Sequence, residues 1–327
     1  MTEQTIANVF RAPSGCKEIC VRVFTQIRRA PRAILRSNMN RFSSHLTRNS
    51  FLILVATFVL MICLLLGGAA ITAQPARIPH GTLELVSDNS AITRGHEFTV
   101  GLQFKMERGW HIYWVNPGDS GEPPRVTWQF PKGLSAGEII WPAPQRMGSS
   151  TIVNYVYDGD VLLTAPVRAG ADYSASPSDK LEAAVKFLIC NEQMCMPGKA
   201  QLSLAISAKS IVPPDAATAA AFAAARARLP KPAPANWKLS GHAEKDSFVI
   251  EIQAGRPIPP GYFFPLHESE INDSAPQLAG TRPTGLRITL HKSSELTKPL
   301  ANLKGVLELP DGQAYLLDVP IASVAHR

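Results

Sequence analysis

The sequence predicts an all-β protein: an antiparallel β-sandwich followed by a second, smaller β-domain, with an Ala-rich helix between them. Three observations carry this prediction. Short segments with alternating apolar and polar residues recur from residue 83 onwards, turns rich in Gly and Pro separate them, and no long helical pattern interrupts them before residue 206. An alanine-rich stretch then leads into a further set of strand-like segments.

The first block, residues 80–210, contains about seven predicted strands. In the clearest of them, residues 97–106, every second residue from Phe98 to Phe104 is apolar, as expected for a strand with one buried face. The other segments show the same alternation or are rich in aromatic and branched residues; they are 110–116, 125–130, 160–167, 183–190 and 199–206. The block therefore has enough strands for two packed sheets.

Residues 211–236 are predicted to form a helical linker. Asp215 is a suitable N-cap, residues 216–229 are rich in alanine, and the prolines that follow form a stiff spacer. Phe222 and Leu229 would share one helix face, so we expect that face to pack against another part of the chain.

The second block, residues 237–325, resumes the strand pattern and contains no cysteine. Its predicted strands are 247–254, 285–292, 303–310 and 314–321. Because it also has no cluster of catalytic residues, we expect it to take no part in the chemistry. We expect it to dock on the first block. It would then either help to present the first block to partners or only stabilise it.

Charge is distributed unevenly along the chain. Residues 1–50 hold nine Lys or Arg and two Asp or Glu, residues 51–73 hold no charge, and the remainder holds equal numbers of both signs. The net charge of +7 is thus confined to a basic leader, and the rest shows no basic surface of the kind that binds nucleic acid. Residues 51–73 are apolar enough for a signal-peptide core or a single-pass membrane anchor, with residues 1–50 on the cytosolic side and the rest exported. Met39 offers an alternative start that would leave a shorter signal-peptide head.

Five cysteines are divided by this topology. Cys16, Cys20 and Cys63 lie in the leader, and only Cys190 and Cys195 lie in the part that we expect to be exported. An isolated pair in an oxidising compartment is typically a disulfide for at least part of the time.

The sequence places Cys190 and Cys195 at the two lips of a β-hairpin, where directly opposed residues are close enough to form a disulfide. A bond that closes so short a loop stabilises the fold by only about 2 kcal/mol, so the spacing favours a redox pair over a structural staple. Pro197 cannot donate to a ladder and should interrupt the second strand, which would keep the Cys195 sulfur near an exposed edge.

A metal site is an open alternative for the same two sulfurs. Met194 and Met196 could complete a soft site for Cu(I), although both could equally be apolar cover around the cysteines. The eight histidines are scattered and show no metal-binding spacing. We expect no resident metal and no cofactor.

Several motifs in series resemble the periplasmic amino-terminal region of DsbD-like thiol-disulfide reductases, including Scs-type members and free-standing DsbC/DsbD-like proteins linked to cytochrome c biogenesis. They cover residues 109–128, 137–146, 153–163, 187–204, 262–272 and 303–309. The resemblance implies an immunoglobulin-like sandwich in the periplasm with one redox disulfide. It further implies that Cys195 forms the mixed disulfide with a partner and that Cys190 resolves it.

The resemblance also implies partners. Members of the family receive electrons from a polytopic membrane domain and pass them to periplasmic thiol proteins. Since no multi-helix membrane domain and no Cys-x-x-Cys domain occur in this sequence, we expect a separate membrane electron donor and periplasmic thioredoxin-like partners. Two features depart from the family: four rather than five residues separate the cysteines, and residues 142–147, the counterpart of the family's cap loop, do not reproduce its motif.

Overall fold

The computed structural model describes residues 75–89, 92–148, 151–176, 178–206 and 214–322. The basic leader and the apolar segment 51–73 therefore lie outside the described residues, as do Cys16, Cys20 and Cys63. Within the part of the chain that is described, no helix is long and apolar enough to cross a membrane.

The first block is built from antiparallel strands in two sheets. Along the chain the strands are β1 (Ala76–Ile78), β2 (Gly81–Ser87), β3 (Glu97–Met106), β4 (His111–Gly118), β5 (Arg125–Gln129), β6 (Leu134–Ala136), β7 (Gln145–Gly148), β8 (Val153–Asp158), β9 (Val161–Ala169), β10 (Lys180–Cys190) and β11 (Cys195–Ala205). One sheet has the order β1-β2-β3-β9-β6, and the other has the order β11-β10-β4-β8-β7 with β5 also paired to β10.

The helix and the second block follow. Helix α1 (Ala216–Ala227) precedes β12 (Lys231–Pro232), β13 (Lys238–Ala243), β14 (Ser247–Gln253), β15 (Tyr262–Pro265), β16 (Leu278–Arg282), β17 (Gly285–His291), β18 (Asn302–Glu308) and β19 (Ala314–Ala322). These strands form one sheet in the order β15-β18-β19-β13-β14-β17-β16, in which β12 and β13 run parallel to β19. The predicted all-β class, with a sandwich, an Ala-rich helix and a second β-domain, is confirmed.

The alternation of apolar residues explains where the core lies. In β3, Phe98, Val100, Leu102 and Phe104 are all buried and belong to one large apolar cluster between the two sheets. β10 contributes Val185, Phe187 and Ile189 to the same cluster. A strand with one face in the core must point its other residues away from it, which places Cys190 on the outer face of its sheet.

Helix α1 begins as predicted and ends earlier. The Asp215 carboxylate accepts a hydrogen bond from the Thr218 backbone N–H at 2.8 Å, which makes Asp215 the N-cap. The predicted shared face is wrong in one member, because Leu229 lies beyond the last helical residue. Phe222 packs instead with Ala225 against Val86 and Leu162 of the first block.

The two blocks are joined by buried contacts. Phe264, Val306 and Ala314 of the second block belong to the large core cluster of the first. Polar groups add to this junction, and we call Asn116, Tyr155 and Asp273 the interface cluster. The Asn116 amide donates to the carbonyls of Pro265 at 2.9 Å and His267 at 3.2 Å. The Tyr155 hydroxyl donates to Asp273 Oδ1 at 2.9 Å. The expected docking of the second block on the first is therefore present in the structure.

Candidate functional site

Cys190 and Cys195 close the end of a long hairpin. Strands β10 and β11 pair without a break from Lys180 opposite Ala205 to Cys190 opposite Cys195. The two sulfurs are bonded at 2.04 Å, and the Cα atoms lie 4.1 Å apart. The predicted juxtaposition of Cys190 and Cys195 is therefore observed, and the structure shows them as a disulfide.

The turn between the cysteines is organised by its first residue. The Asn191 side-chain oxygen accepts hydrogen bonds from the backbone N–H groups of Gln193 and Met194, each at 2.8 Å. Asn191 also donates its own N–H to the Met194 carbonyl at 2.9 Å. An asparagine that bonds to the backbone two and three residues ahead favours a tight turn, which brings the two strand ends together.

The prediction for Pro197 is wrong in part. β11 runs through Pro197, which lies opposite Leu188, and the strand is not interrupted. β11 is an edge strand, so it forms ladder hydrogen bonds on one side only and tolerates a proline. The expected edge location of Cys195 is nevertheless found, because Cys195 is the first residue of this edge strand.

The two cysteines differ sharply in exposure. Cys190 is 1% exposed, whereas Cys195 is an exposed residue at the hairpin tip. Cys190 packs with Tyr113 and Val156 in a small apolar cluster on the outer face of the sheet. A thiolate of another molecule therefore reaches the disulfide at Cys195 Sγ, the exposed sulfur.

Tyr113 is the polar neighbour of the disulfide. Its hydroxyl donates to Cys190 Sγ at 3.1 Å and lies 3.7 Å from Cys195 Sγ. Burial raises the pKa of Tyr113, so the phenol keeps its proton and remains a donor. The loop after β4 passes closely over this ring: a Cβ on Gly121, whose φ is +109°, would lie 2.2 Å from a ring carbon. Glycine is thus needed where the loop covers Tyr113.

His111 is a further neighbour of Cys190 and Tyr113. It is opposite Cys190 in the pairing of β4 with β10, and its ring meets the Tyr113 ring edge-to-face with centroids 5.5 Å apart. His111 is 4% exposed, and burial lowers its pKa while the nearby Asp158 charge acts in the opposite direction. We call His111, Tyr113, Cys190 and Cys195 the cysteine cluster.

Comparison with known proteins agrees with this geometry. Residues 82–207 match the family model described as "Thiol:disulfide interchange protein DsbD, N-terminal". Residues 82–207 form a DsbD-like amino-terminal domain. The domain contains every member of the cysteine cluster.

Solved structures extend the likeness in fold. The N-terminal periplasmic domain of ScsB from Proteus mirabilis aligns with 76% of this chain and 98% of its own, with 16% identity and a TM-score of 0.59. This match reaches beyond the DsbD-like domain, so the fold of the second block is shared as well. Domains D2 and D3 of the major pilin SpaD from Corynebacterium diphtheriae align with 74% of this chain at 10% identity, but the TM-score is only 0.23. A search of curated proteins gave no match.

Half of the segment suspected of covering the cysteines is a strand. Within residues 142–147, the part from Gln145 onwards belongs to β7, and the Pro142 carbonyl accepts a hydrogen bond from the Tyr157 hydroxyl at 2.7 Å. Met147 does pack against the cluster around Cys190. This segment therefore contributes one side chain beside the disulfide of the DsbD-like domain, while the loop at Gly121 lies over Tyr113.

The two methionines proposed as copper ligands diverge. Met194 is 54% exposed in the turn, whereas Met196 lies opposite Ile189 and packs against the main core. Adjacent strand residues point to opposite faces, so Met196 and Cys195 face away from each other. Across the described residues no group of three or more His, Cys, Asp or Glu side chains is placed to hold a metal ion.

The sequence reasoning found the cysteines and missed their neighbours. Tyr113 and His111 lie on one face of β4, and Ile112 and Trp114 lie on the other, in the main core. The signal was present in the alternation of "HIYW", which puts His111 and Tyr113 on a common face. What sequence alone could not supply was the strand pairing, which brings that face against Cys190.

Proposed function

We propose that this protein exchanges thiols and disulfides in the periplasm through the Cys190–Cys195 pair, relaying electrons from a separate membrane donor to periplasmic thioredoxin-like partners. The observation that carries the proposal is the unequal exposure of the two bonded sulfurs at the hairpin tip. The match of residues 82–207 to the DsbD amino-terminal family supports the same conclusion.

The reaction follows from that asymmetry in two stages. A donor thiolate attacks Cys195 Sγ and forms a mixed disulfide with it, while Cys190 leaves as a thiolate. A second donor thiol then attacks this mixed disulfide and releases Cys195, which completes the reduction of the pair. The reduced Cys195 thiolate then attacks the disulfide of a partner and forms a mixed disulfide. Cys190 attacks Cys195 Sγ, the partner leaves as a thiolate, and the Cys190–Cys195 bond is restored. Two electrons and the balancing protons pass to the partner.

The Tyr113 hydroxyl has a role in both stages. Whenever the disulfide opens, Cys190 becomes a thiolate in a buried place, where an uncompensated charge is costly. The hydroxyl lies 3.1 Å from Cys190 Sγ and keeps its proton, so it can donate a hydrogen bond to the thiolate. The pathway served by this relay is proposed, from the family resemblance, to be cytochrome c biogenesis or disulfide correction.

A trapping experiment tests the relay. Cys190→Ala leaves Cys195 without its resolving thiol, so we expect covalent adducts with periplasmic proteins on non-reducing gels, lost on reduction. Cys195→Ala is the matched control and should form none, because Cys190 is buried. Absence of adducts from Cys190→Ala would contradict the relay.

The reduction potential distinguishes the relay from the alternative, a structural disulfide in a binding protein. A relay requires a pair that periplasmic reductants can open, whereas a structural bridge has a potential below about −300 mV. Equilibration of the full exported chain with thiol buffers of graded potential measures this directly. Stoichiometric Cu(I) binding that is lost in Cys195→Ser would instead support the copper version.

A further inference from the structure

His111 is a buried titratable side chain whose ring nitrogens are unused. It is 4% exposed, and neither Nδ1 nor Nε2 has a hydrogen-bond partner among the described residues. Leaving a buried polar group unpaired costs about 1–3 kcal/mol. An apolar ring of similar size would fill the same space without this cost, so packing alone does not explain an imidazole at this position.

The position of His111 distinguishes it from other buried groups of this kind. Trp114 Nε1 and Glu270 Oε2 also lack partners within the described structure, but neither is opposite a redox sulfur in the strand pairing. His111 lies directly opposite Cys190, and directly opposed antiparallel residues have Cβ atoms ~4.5–5.5 Å apart on the same face. The imidazole is thus within reach of a Cys190 thiol that has turned towards it.

Cys190 therefore has a neighbour on each side. On β11 the opposed residue is Cys195, and on β4 the opposed residue is His111. In the disulfide, Cys190 Sγ is bonded towards Cys195. Once that bond is opened, rotation about the Cα–Cβ bond lets the thiol turn towards the imidazole. Tyr113 contacts both groups, since its ring meets the His111 ring edge-to-face and its hydroxyl lies 3.1 Å from Cys190 Sγ.

The charged and titratable groups around His111 favour a neutral imidazole that can take up a proton. On β10 the facing group is Cys190, on its own strand it is Tyr113, and on β8 it is Asp158, which lies opposite His111. Burial lowers the pKa of His111, so the ring is neutral near pH 7, while Asp158 stabilises the imidazolium when it forms.

Building on the proposed exchange function, we infer that His111 is the proton acceptor for Cys190 in the step that resolves the mixed disulfide. The Cys190 S–H proton passes to a ring nitrogen of His111, and the resulting thiolate attacks Cys195 Sγ. The bond between Cys195 and the partner sulfur breaks, its electron pair leaves with the partner thiolate, and the Cys190–Cys195 bond forms. The imidazolium then returns its proton to solvent or to the departing thiolate.

The resolving step can be observed directly in the full exported chain. Reduced protein is mixed with a nitro-aromatic disulfide whose released thiolate is coloured. The first equivalent of colour reports attack by Cys195, and the second reports attack by Cys190 on the adduct. The second phase is independent of reagent concentration, which isolates the step assigned to His111.

We expect His111→Phe and His111→Gln to slow the second phase about 100-fold near pH 7 while leaving the first phase unchanged. In the wild type the second phase should rise with pH and level off once the imidazole is neutral. In the variants it should keep rising about tenfold per pH unit between about pH 5 and 9, because hydroxide alone then generates the thiolate. His80→Gln, a change in a partly exposed histidine outside the cluster, is the matched control and should behave as wild type.

A second phase with wild-type speed and wild-type pH profile in both variants would overturn the inference. If the variants fail to fold, the wild-type profile decides: a second phase that rises through the whole range without levelling off overturns it, and a plateau supports it. A wild-type protein that releases no second equivalent would overturn the proposed relay itself, and the role of His111 with it. The two failures are therefore distinguishable.

Discussion

Two polar clusters share strand β4, and they are constructed differently. β4 carries His111 and Tyr113 of the cysteine cluster near its start, and Asn116 of the interface cluster near its end. In the interface cluster the Asn116 amide donates to two carbonyls and its oxygen accepts from the Gly118 N–H at 2.9 Å. In the cysteine cluster both nitrogens of His111 have no partner among the described residues.

The difference agrees with the proposal that the interface cluster holds the fold and that the cysteine cluster carries the chemistry. Buried polar groups that are fully paired fix one arrangement of the chain, because any displacement breaks several hydrogen bonds at once. A buried group that is left unpaired contributes nothing of this kind, and it keeps its proton-accepting capacity free. The contacts of Asn116, Tyr155 and Asp273 hold the second block against the first, whereas no described residue of the second block is in the apolar cluster around Cys190.

Removing the second block is the largest change that tests this comparison. A chain that ends after residue 210 lacks Phe264 and the carbonyls that pair with Asn116, so it exposes core surface around Trp114 and leaves a buried amide unpaired. We expect the free energy of unfolding to fall by about 3 kcal/mol or more, with an unchanged reduction potential. Urea unfolding and equilibration with thiol buffers measure the two quantities.

Should the truncated chain fail to fold, Asn116→Ala in the full chain asks the same question with an expected loss of about 2 kcal/mol. Asn302→Ala, which removes an exposed hydrogen bond to Asp318, is the control and should cost far less. A truncated chain with unchanged stability and potential that reduces partners slowly would contradict the structural role. It would show that the second block presents the cysteines to partners.

The interface cluster also predicts a pH dependence of stability. Asp273 is 5% exposed, and burial raises its pKa from 3.8 to about 6, although the hydrogen bond from Tyr155 acts to lower it. Between these two pH values the folded chain binds more protons at this site than the unfolded chain, so the contribution of Asp273 to stability falls as pH rises from about 4 to 6. The full difference corresponds to about 3 kcal/mol.

Asp273→Asn should remove this contribution, because the amide oxygen can still accept from the Tyr155 hydroxyl and does not titrate. We expect the free energy of unfolding of the variant to increase relative to that of wild type as pH rises. Urea midpoints at about pH 4 and 7 measure this change. Glu138→Gln, at an exposed carboxylate, is the matched control. Parallel pH profiles for wild type and Asp273→Asn would show that this carboxyl is not desolvated in the folded protein.

The sequence predicted the strands with regular alternation and the pairing of the cysteines. Residues 97–106 were placed correctly because one face is wholly buried, and a half-buried strand has period two. β15 was missed because its four residues Tyr262–Pro265 are too short to show a period, and three of them are buried. β13 was missed because Gly241 and polar residues interrupt the pattern; pairing on both sides, with β14 and β19, holds that strand in place.

The candidate site was predictable only in part for the same reason. Cys190 and Cys195 are close in sequence, so hairpin geometry alone brought them together. His111 and Tyr113 are about eighty residues away, and their place beside Cys190 depends on which strand pairs with β10. Both β4 and β5 pair with the same edge of β10, and local sequence patterns do not specify which strand pairs beside Cys190.

The smallest expected effect belongs to a single hydroxyl in the cysteine cluster. Tyr113→Phe keeps the ring against His111 and removes only the donor that lies 3.1 Å from Cys190 Sγ. A hydrogen bond to the Cys190 thiolate is worth more than one to a bonded sulfur, since charge strengthens it, so its loss should slow opening of the disulfide more than it lowers stability.

We expect reduction of Tyr113→Phe by dithiothreitol to be about five- to tenfold slower than wild type, which corresponds to about 1 kcal/mol. Tyr157→Phe is the matched control, since it removes a buried hydroxyl that donates to the Pro142 carbonyl rather than to a sulfur. Tyr157→Phe should lower the urea midpoint and leave the reduction rate unchanged. Equal slowing in both variants would mean that the reduction rate follows the stability of the sheet. The Tyr113 hydroxyl would then have a structural role, like the hydrogen-bonded groups of the interface cluster.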